Sequence, residues 1–154
     1  MTHASRNASE GFAQRTRENL ELICTAATHN PHAHIVTQVV NSMLGLVVFP
    51  WEADVLDRAK QLTLPDLAQD GWPQFNIVNG SCQNLDELIH RLRNAVAHRH
   101  ITFSCDSLIP REVGVRFEDW KKGASLPHWV ASINAEDLRN FCLRFTTFVE
   151  EVVV

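Results

Sequence analysis

The C-terminal stretch carries the strongest constraint on how this chain can fold. Leu138, Phe141, Cys142, Phe145, Phe148 and Val149 recur at spacings of three and four, the period of one helix face. A helix bearing such a stripe must bury it against other elements. Asn134 starts it, with Asp137 in the capping-box position.

Three earlier stretches share the period. A first helix is expected from Ala8 to Ala27, with Phe12, Thr16, Leu20, Ile23, Cys24 and Ala27 on one face, stopped by Asn30-Pro31. A second runs from Ala33 to Phe49 and ends at Pro50. Its apolar residues are too many for one stripe, so it should be buried on more than one side. A third, capped by Asn84, carries Leu85, Leu88, Ile89, Leu92 and Val96 inward, with Glu87 in the capping-box position. A short helix fits Ala53 to Leu62. Thr63 to Cys82, with two prolines and Asn79-Gly80, reads mostly as loop. The period then changes: Val113, Val115 and Phe117 alternate, Lys121-Lys122-Gly123 turns the chain, and Trp129 to Ile133 returns. The expected fold is mainly α, an antiparallel bundle of four to five helices with a β-hairpin inserted before the C-terminal helix. One domain should span residues 1–154.

Composition narrows the function classes. The formal charge of −4 gives no global attraction to polyanions, so nucleic-acid binding must rest on a local patch. The four cysteines, Cys24, Cys82, Cys105 and Cys142, lie far apart and outside metal-ligand spacings; they read as reduced thiols of a cytoplasmic protein. No apolar leader opens the chain, and MLGLVVFPW is too short to span a bilayer. Glycine-rich phosphate loops and a Gly-x-Ser-x-Gly elbow are absent, so nothing supports acyl transfer.

Against that acidic background, Arg91 to His100 (RLRNAVAHRH) holds three arginines, two histidines and no acid. At about 100° per residue, Glu87, Arg91, Asn94 and His98 fall opposite the apolar stripe, with Arg93 and His100 on its flank. Read without context, these are a solvated helix face. The segment Arg93-Asn94-Ala95-Val96-Ala97-His98, however, resembles the R-N-x-x-x-H signature of HEPN domains (higher eukaryotes and prokaryotes nucleotide-binding). The apolar run LDELIHRLRNAVAH, the motif's place near the end of a late helix, and a C-terminal helix preceded by a hairpin are also similar. HEPN domains are small helical bundles, many of them ribonucleases of toxin, antiviral and stress-response systems.

The resemblance implies a metal-independent endoribonuclease without cofactor. Its partners would be RNA, a second copy of the chain, and a protein antitoxin or other regulator. Cleavage by the RNA's own 2′-hydroxyl needs a group to take that proton, another to protonate the leaving oxygen, and a cation on the phosphate. Histidine suits proton transfer, with an unperturbed pKa of about 6.5. Arginine's fork suits phosphate. His98 and Arg93 are therefore the expected catalytic pair, with Asn94, Arg91 and Arg99 contacting substrate or orienting His98. Arg93 and His98 diverge by about 140° on one helix, so a dimer with a composite cleft is expected, as in HEPN ribonucleases. His100 reads as a surface residue beside the site. The alternative is a HEPN-like dimerisation or nucleotide-binding module without catalysis.

Other side chains carry weaker signals. His29, His32 and His34 (HNPHAH) suggest a metal site, but no cysteine or acid accompanies them closely, and a loop-and-cap role is favoured. Trp51, Trp72, Trp120 and Trp129 read as packing residues rather than base-stacking ones.

Overall fold

The computed structural model describes residues 3–30, 32–49, 51 and 53–153, with side chains from residue 8 onward. Helix α1 spans His3–Ala27, α2 Ile35–Val48, α3 Ala53–Gln61, α4 Leu64–Gln69, α5 Leu85–Ala97 and α6 Ala135–Val153. Strands β1 (Asn76–Asn79), β2 (Ile101–Phe103), β3 (Gly114–Asp119) and β4 (Trp129–Asn134) form one antiparallel sheet in the order β1-β4-β3-β2. The fold is mainly α, with a small sheet. Pro31 and Pro50, expected to stop α1 and α2, lie outside the described residues.

The stripe on α6 is buried along its whole length, from Leu138 through Phe141, Cys142, Phe145 and Phe148 to Val149. Helices α1, α2 and α3 pack against it. Helix α2 touches α1, α5 and α6, which is why its apolar residues exceed a single face. Asn134 Oδ1 accepts from Asp137 N at 2.8 Å, the expected cap. At α5, Asn84 Oδ1 accepts from Glu87 N at 2.9 Å, but the Glu87 carboxylate reaches one residue further back, to Gln83 N.

Two expectations need correction. The inserted hairpin, β3 paired with β4, is the centre of a four-stranded sheet rather than an isolated excursion. The stretch read as loop, Thr63 to Cys82, holds α4 and β1. Thr63 and Asp66 cap α4 reciprocally, and Pro65 sits in its first turn. Both elements are too short to show a period, and β1 is an edge strand with an irregular register at Ile77/Asn79. Strand β2 is likewise too short to show a period; its three residues gain their definition from pairing with β3, Ile101 opposite Phe117 and Phe103 opposite Val115.

The tryptophans divide. Trp51 is buried, donates to Leu46 O at 2.7 Å and meets Phe145 edge-on. Trp72 packs on Phe141 and Phe148, and Trp129 is fully buried. These fasten loop and sheet to the helices. Trp120 does not join them.

Gly80 ties β1 to the hairpin. Its φ is +76°, and an added Cβ would lie 2.5 Å from the His128 carbonyl oxygen. Gly71 has φ +74° but open space around it. Both substitutions to alanine incur the left-handed penalty of about 1–2 kcal/mol. Gly80→Ala should cost a further ~1–3 kcal/mol of overpacking, read as the difference between the two variants in urea unfolding. Equal midpoints would show that the close approach is not maintained.

Candidate functional site

Asp119 closes β3 on the face that Val115 and Phe117 bury into the core. It is 2% exposed and lies opposite the fully buried Trp129. A carboxylate there needs partners, because transferring an unpaired charge out of water costs several kcal/mol. Helix α5 supplies them. Arg91 Nη1 donates to Asp119 Oδ2 at 2.9 Å and Arg91 Nη2 to Glu87 Oε1 at 3.0 Å. Asn94 Nδ2 donates to Asp119 Oδ2 at 3.3 Å. His128 Nε2 touches Arg91 Nη1 and lies 3.3 Å from Asp119 Oδ2. Burial alone would lower the Arg91 pKa; the hydrogen bonds to Asp119 and Glu87 outweigh it and raise it. The Gln83 N–H, assisted by Arg91, holds the Glu87 carboxyl below its ordinary range.

This corrects the helical-wheel picture of α5. Arg91 and Asn94 are not turned to open solvent; the end of the sheet covers them, and Glu87 is half-buried against Arg91. Period alone identifies one buried stripe and cannot tell that a second element packs against the far side. Arg91, expected to meet substrate, is engaged by two carboxylates. Asn94, expected to orient His98, is turned to Asp119.

The other motif residues are free. Arg93, His98 and Arg99 are exposed, and their side chains make no hydrogen bond or ion pair among the described residues. Arg93 stands on the last turns of α5. His98 is its C-cap, with φ −100° and ψ 7°. Arg99 has φ +61°, the left-handed position usually given to glycine. Arg99 N donates to Val96 O at 3.1 Å and His100 N to Ala95 O at 2.8 Å, the two bonds of a Schellman motif. The reversal sends His100 back toward the sheet. There its carbonyl accepts from Glu118 N at 3.0 Å, and its ring lies 5.4 Å from that of Trp120 and 6.1 Å from that of His98. Lys121 and Lys122, both exposed, follow Trp120 directly. In the sequence Trp120 reads as a packing residue and the lysines as a turn, and nothing local marks them as neighbours of the motif.

The largely apolar cleft of about 540 Å³ between the start of α2 and the segment after β2 involves no motif residue. It is lined in part by His34, Thr37, Asn41, Phe103 and Leu108. A largely apolar recess suits a small ligand, whereas Arg93, His98 and Arg99 stand on exposed surface. Among the described residues, no three His, Cys, Asp or Glu side chains are grouped to hold a metal ion. The HNPHAH histidines therefore form no such set there, and His34 stands at the start of α2 without a capping hydrogen bond. The thiols of Cys82 and Cys142 are pushed up by burial to about 11 and about 12, which disfavours the reactive thiolate.

Two outcomes follow from the geometry. Asp119→Ala should destabilise the protein by ~1–3 kcal/mol by removing one of the two carboxylates that Arg91 holds, while Arg91→Met with Asp119→Leu should cost less than the sum of the single changes. A thermodynamic cycle over the single and double variants reads the coupling; strict additivity would contradict the pairing. Arg99→Gly should raise stability by ~0.5–1 kcal/mol by relieving its left-handed backbone, and an unchanged or lower unfolding midpoint would contradict the assigned φ.

A model of the HEPN pEK499 p136 family matches residues 1–154. Comparisons with curated proteins and with solved structures give no match. The family match extends over every residue from the first helix through the Arg93–His98 motif to the last, and on that ground the chain belongs to the HEPN pEK499 p136 family.

Proposed function

We propose that this protein is a metal-independent endoribonuclease of the HEPN type. One observation carries the reading: the structure sorts the cations of a single helix into two groups. Arg91 neutralises a buried carboxylate, while Arg93 and Arg99 are exposed and unpaired at the helix end, on either side of the exposed His98. Such a face would by itself be merely solvated; here it carries the R-N-x-x-x-H motif of a HEPN-family chain, with Arg99 on strained backbone.

In this reading the scissile phosphate binds at the C-terminal end of α5. His98 takes the proton of the 2′-hydroxyl, which attacks phosphorus, and the products are a 2′,3′-cyclic phosphate and a 5′-hydroxyl. The Arg93 guanidinium grips the non-bridging oxygens and stabilises their developing charge. Arg99, Lys121 and Lys122 hold the flanking backbone. Arg93 and His98 diverge by about 140° around the helix axis. The site is therefore composite, joining Arg93 of one protomer to His98 of a second copy across a two-fold axis.

The test is incubation of the purified protein with mixed RNA in EDTA. Wild type should release cyclic-phosphate ends, and Arg93→Ala and His98→Ala should each reduce cleavage by at least ~10²-fold with unchanged far-UV circular dichroism. Mixing the two inactive variants should restore about a quarter of wild-type activity, through heterodimers with one intact site. Full activity in folded His98→Ala protein would refute the assignment. Absence of rescue on subunit exchange would refute the composite site. Binding of nucleotides without any RNA cleavage would instead favour a non-catalytic HEPN module.

A further inference from the structure

We infer that His100 is the second proton-transfer residue of this site, acting as the acid while His98 acts as the base. The inference rests on the nuclease reading and supplies the group that reading still lacks, a proton donor for the departing 5′-oxygen.

The local geometry places the two imidazoles as a pair. In a continuing helix, residues two apart point about 200° from one another. The left-handed residue Arg99 breaks that progression, and the rings of His98 and His100 come to 6.1 Å between centroids, tilted by 34°. At that separation both imidazoles can reach oxygens of one bound phosphodiester. The two rings are supported differently. His98 is exposed, whereas His100 lies against Trp120 at 5.4 Å and its Nδ1 is shut away without a hydrogen-bond partner. Nε2 is therefore the His100 nitrogen open to a ligand. Neither ring is paired with a carboxylate among the described residues. Of the two acids that directly precede Trp120, Asp119 is held by Arg91 and Asn94 and Glu118 by Trp120 Nε1 and Arg116 Nε.

The step balances with these groups alone. Neutral His98 accepts the 2′-hydroxyl proton as the 2′-oxygen bonds to phosphorus. The bond from phosphorus to the 5′-oxygen breaks, and that oxygen takes its proton from the His100 imidazolium at Nε2. The enzyme is left with His98 protonated and His100 neutral, and exchange with water resets both. Base and acid come from one protomer, so the second copy has only to supply the Arg93 cation.

The experiment compares two substrates. RNA has an alkoxide leaving group that needs a proton; a ribonucleoside 3′-(4-nitrophenyl phosphate) leaves as a stable phenolate that does not. His100→Phe keeps a ring against Trp120 but has no transferable proton. It should lose at least ~10²-fold on RNA and stay within a few-fold of wild type on the nitrophenyl ester. His98→Ala should lose activity on both. His100→Gln, which also lacks an acid, should follow His100→Phe and guards against misfolding of the first variant. Wild-type cleavage of RNA by either folded His100 variant would overturn the assignment, as would equal losses on both substrates. If wild type cuts neither substrate, the nuclease reading fails, and the role of His100 with it.

Discussion

Asp119 sits on the inner face of β3 among Val115, Phe117 and Trp129, where a carboxylate is tolerated only if its charge is answered. Arg91 answers it from α5, and Asn94 and His128 complete the contact. This junction fixes how the motif helix lies on the sheet. Apolar packing alone would allow α5 to rotate or slide by small amounts; a buried ion pair with defined donors does not. Gly80 and Asn79 brace the other side, where Asn79 Nδ2 donates to Pro127 O at 2.9 Å, next to His128. The small sheet is thus the platform against which the helix end is held.

Holding the helix in this way determines which of its cations can act. Arg91 faces the sheet and is consumed by structure. Arg93, His98 and Arg99 come off the exposed side and the C-terminal turn. The strained residue, Arg99, stands between the two histidines, and a glycine there would form the same turn without strain or charge. Arg99 therefore closes the helix at a cost in backbone strain, beside the exposed Arg93 and His98. This division of the cations accounts for an acidic chain that gathers cations in one segment: one balances a core acid and the rest are displayed.

Much of this was legible from residue order. The burial of α6, the crowded apolar surface of α2, the Asn84 and Asn134 caps and the central hairpin all follow from period and capping chemistry. The motif could also be found, because its letters stand in a capped amphipathic helix. What was not legible lies in short or non-local elements. Strands β1 and β2 are too brief for alternation to register, and α4 depends on a reciprocal cap between Thr63 and Asp66. Trp120 looked like any packing tryptophan until its contact with His100 was visible.

Residue order by itself determined which apolar stripes of the long helices must leave water, where the capped helices α5 and α6 begin, and that Arg93 and His98 share the end of one of them. These are consequences of interactions within a few residues along the chain. Tertiary structure alone decided that the far side of α5 is covered, that Arg91 serves a buried aspartate nearly thirty positions away, and that His98 lies near His100, which packs on Trp120. Those outcomes depend on burial and charge balance between segments remote in sequence, and helical periodicity carries no information about what a second element will cover.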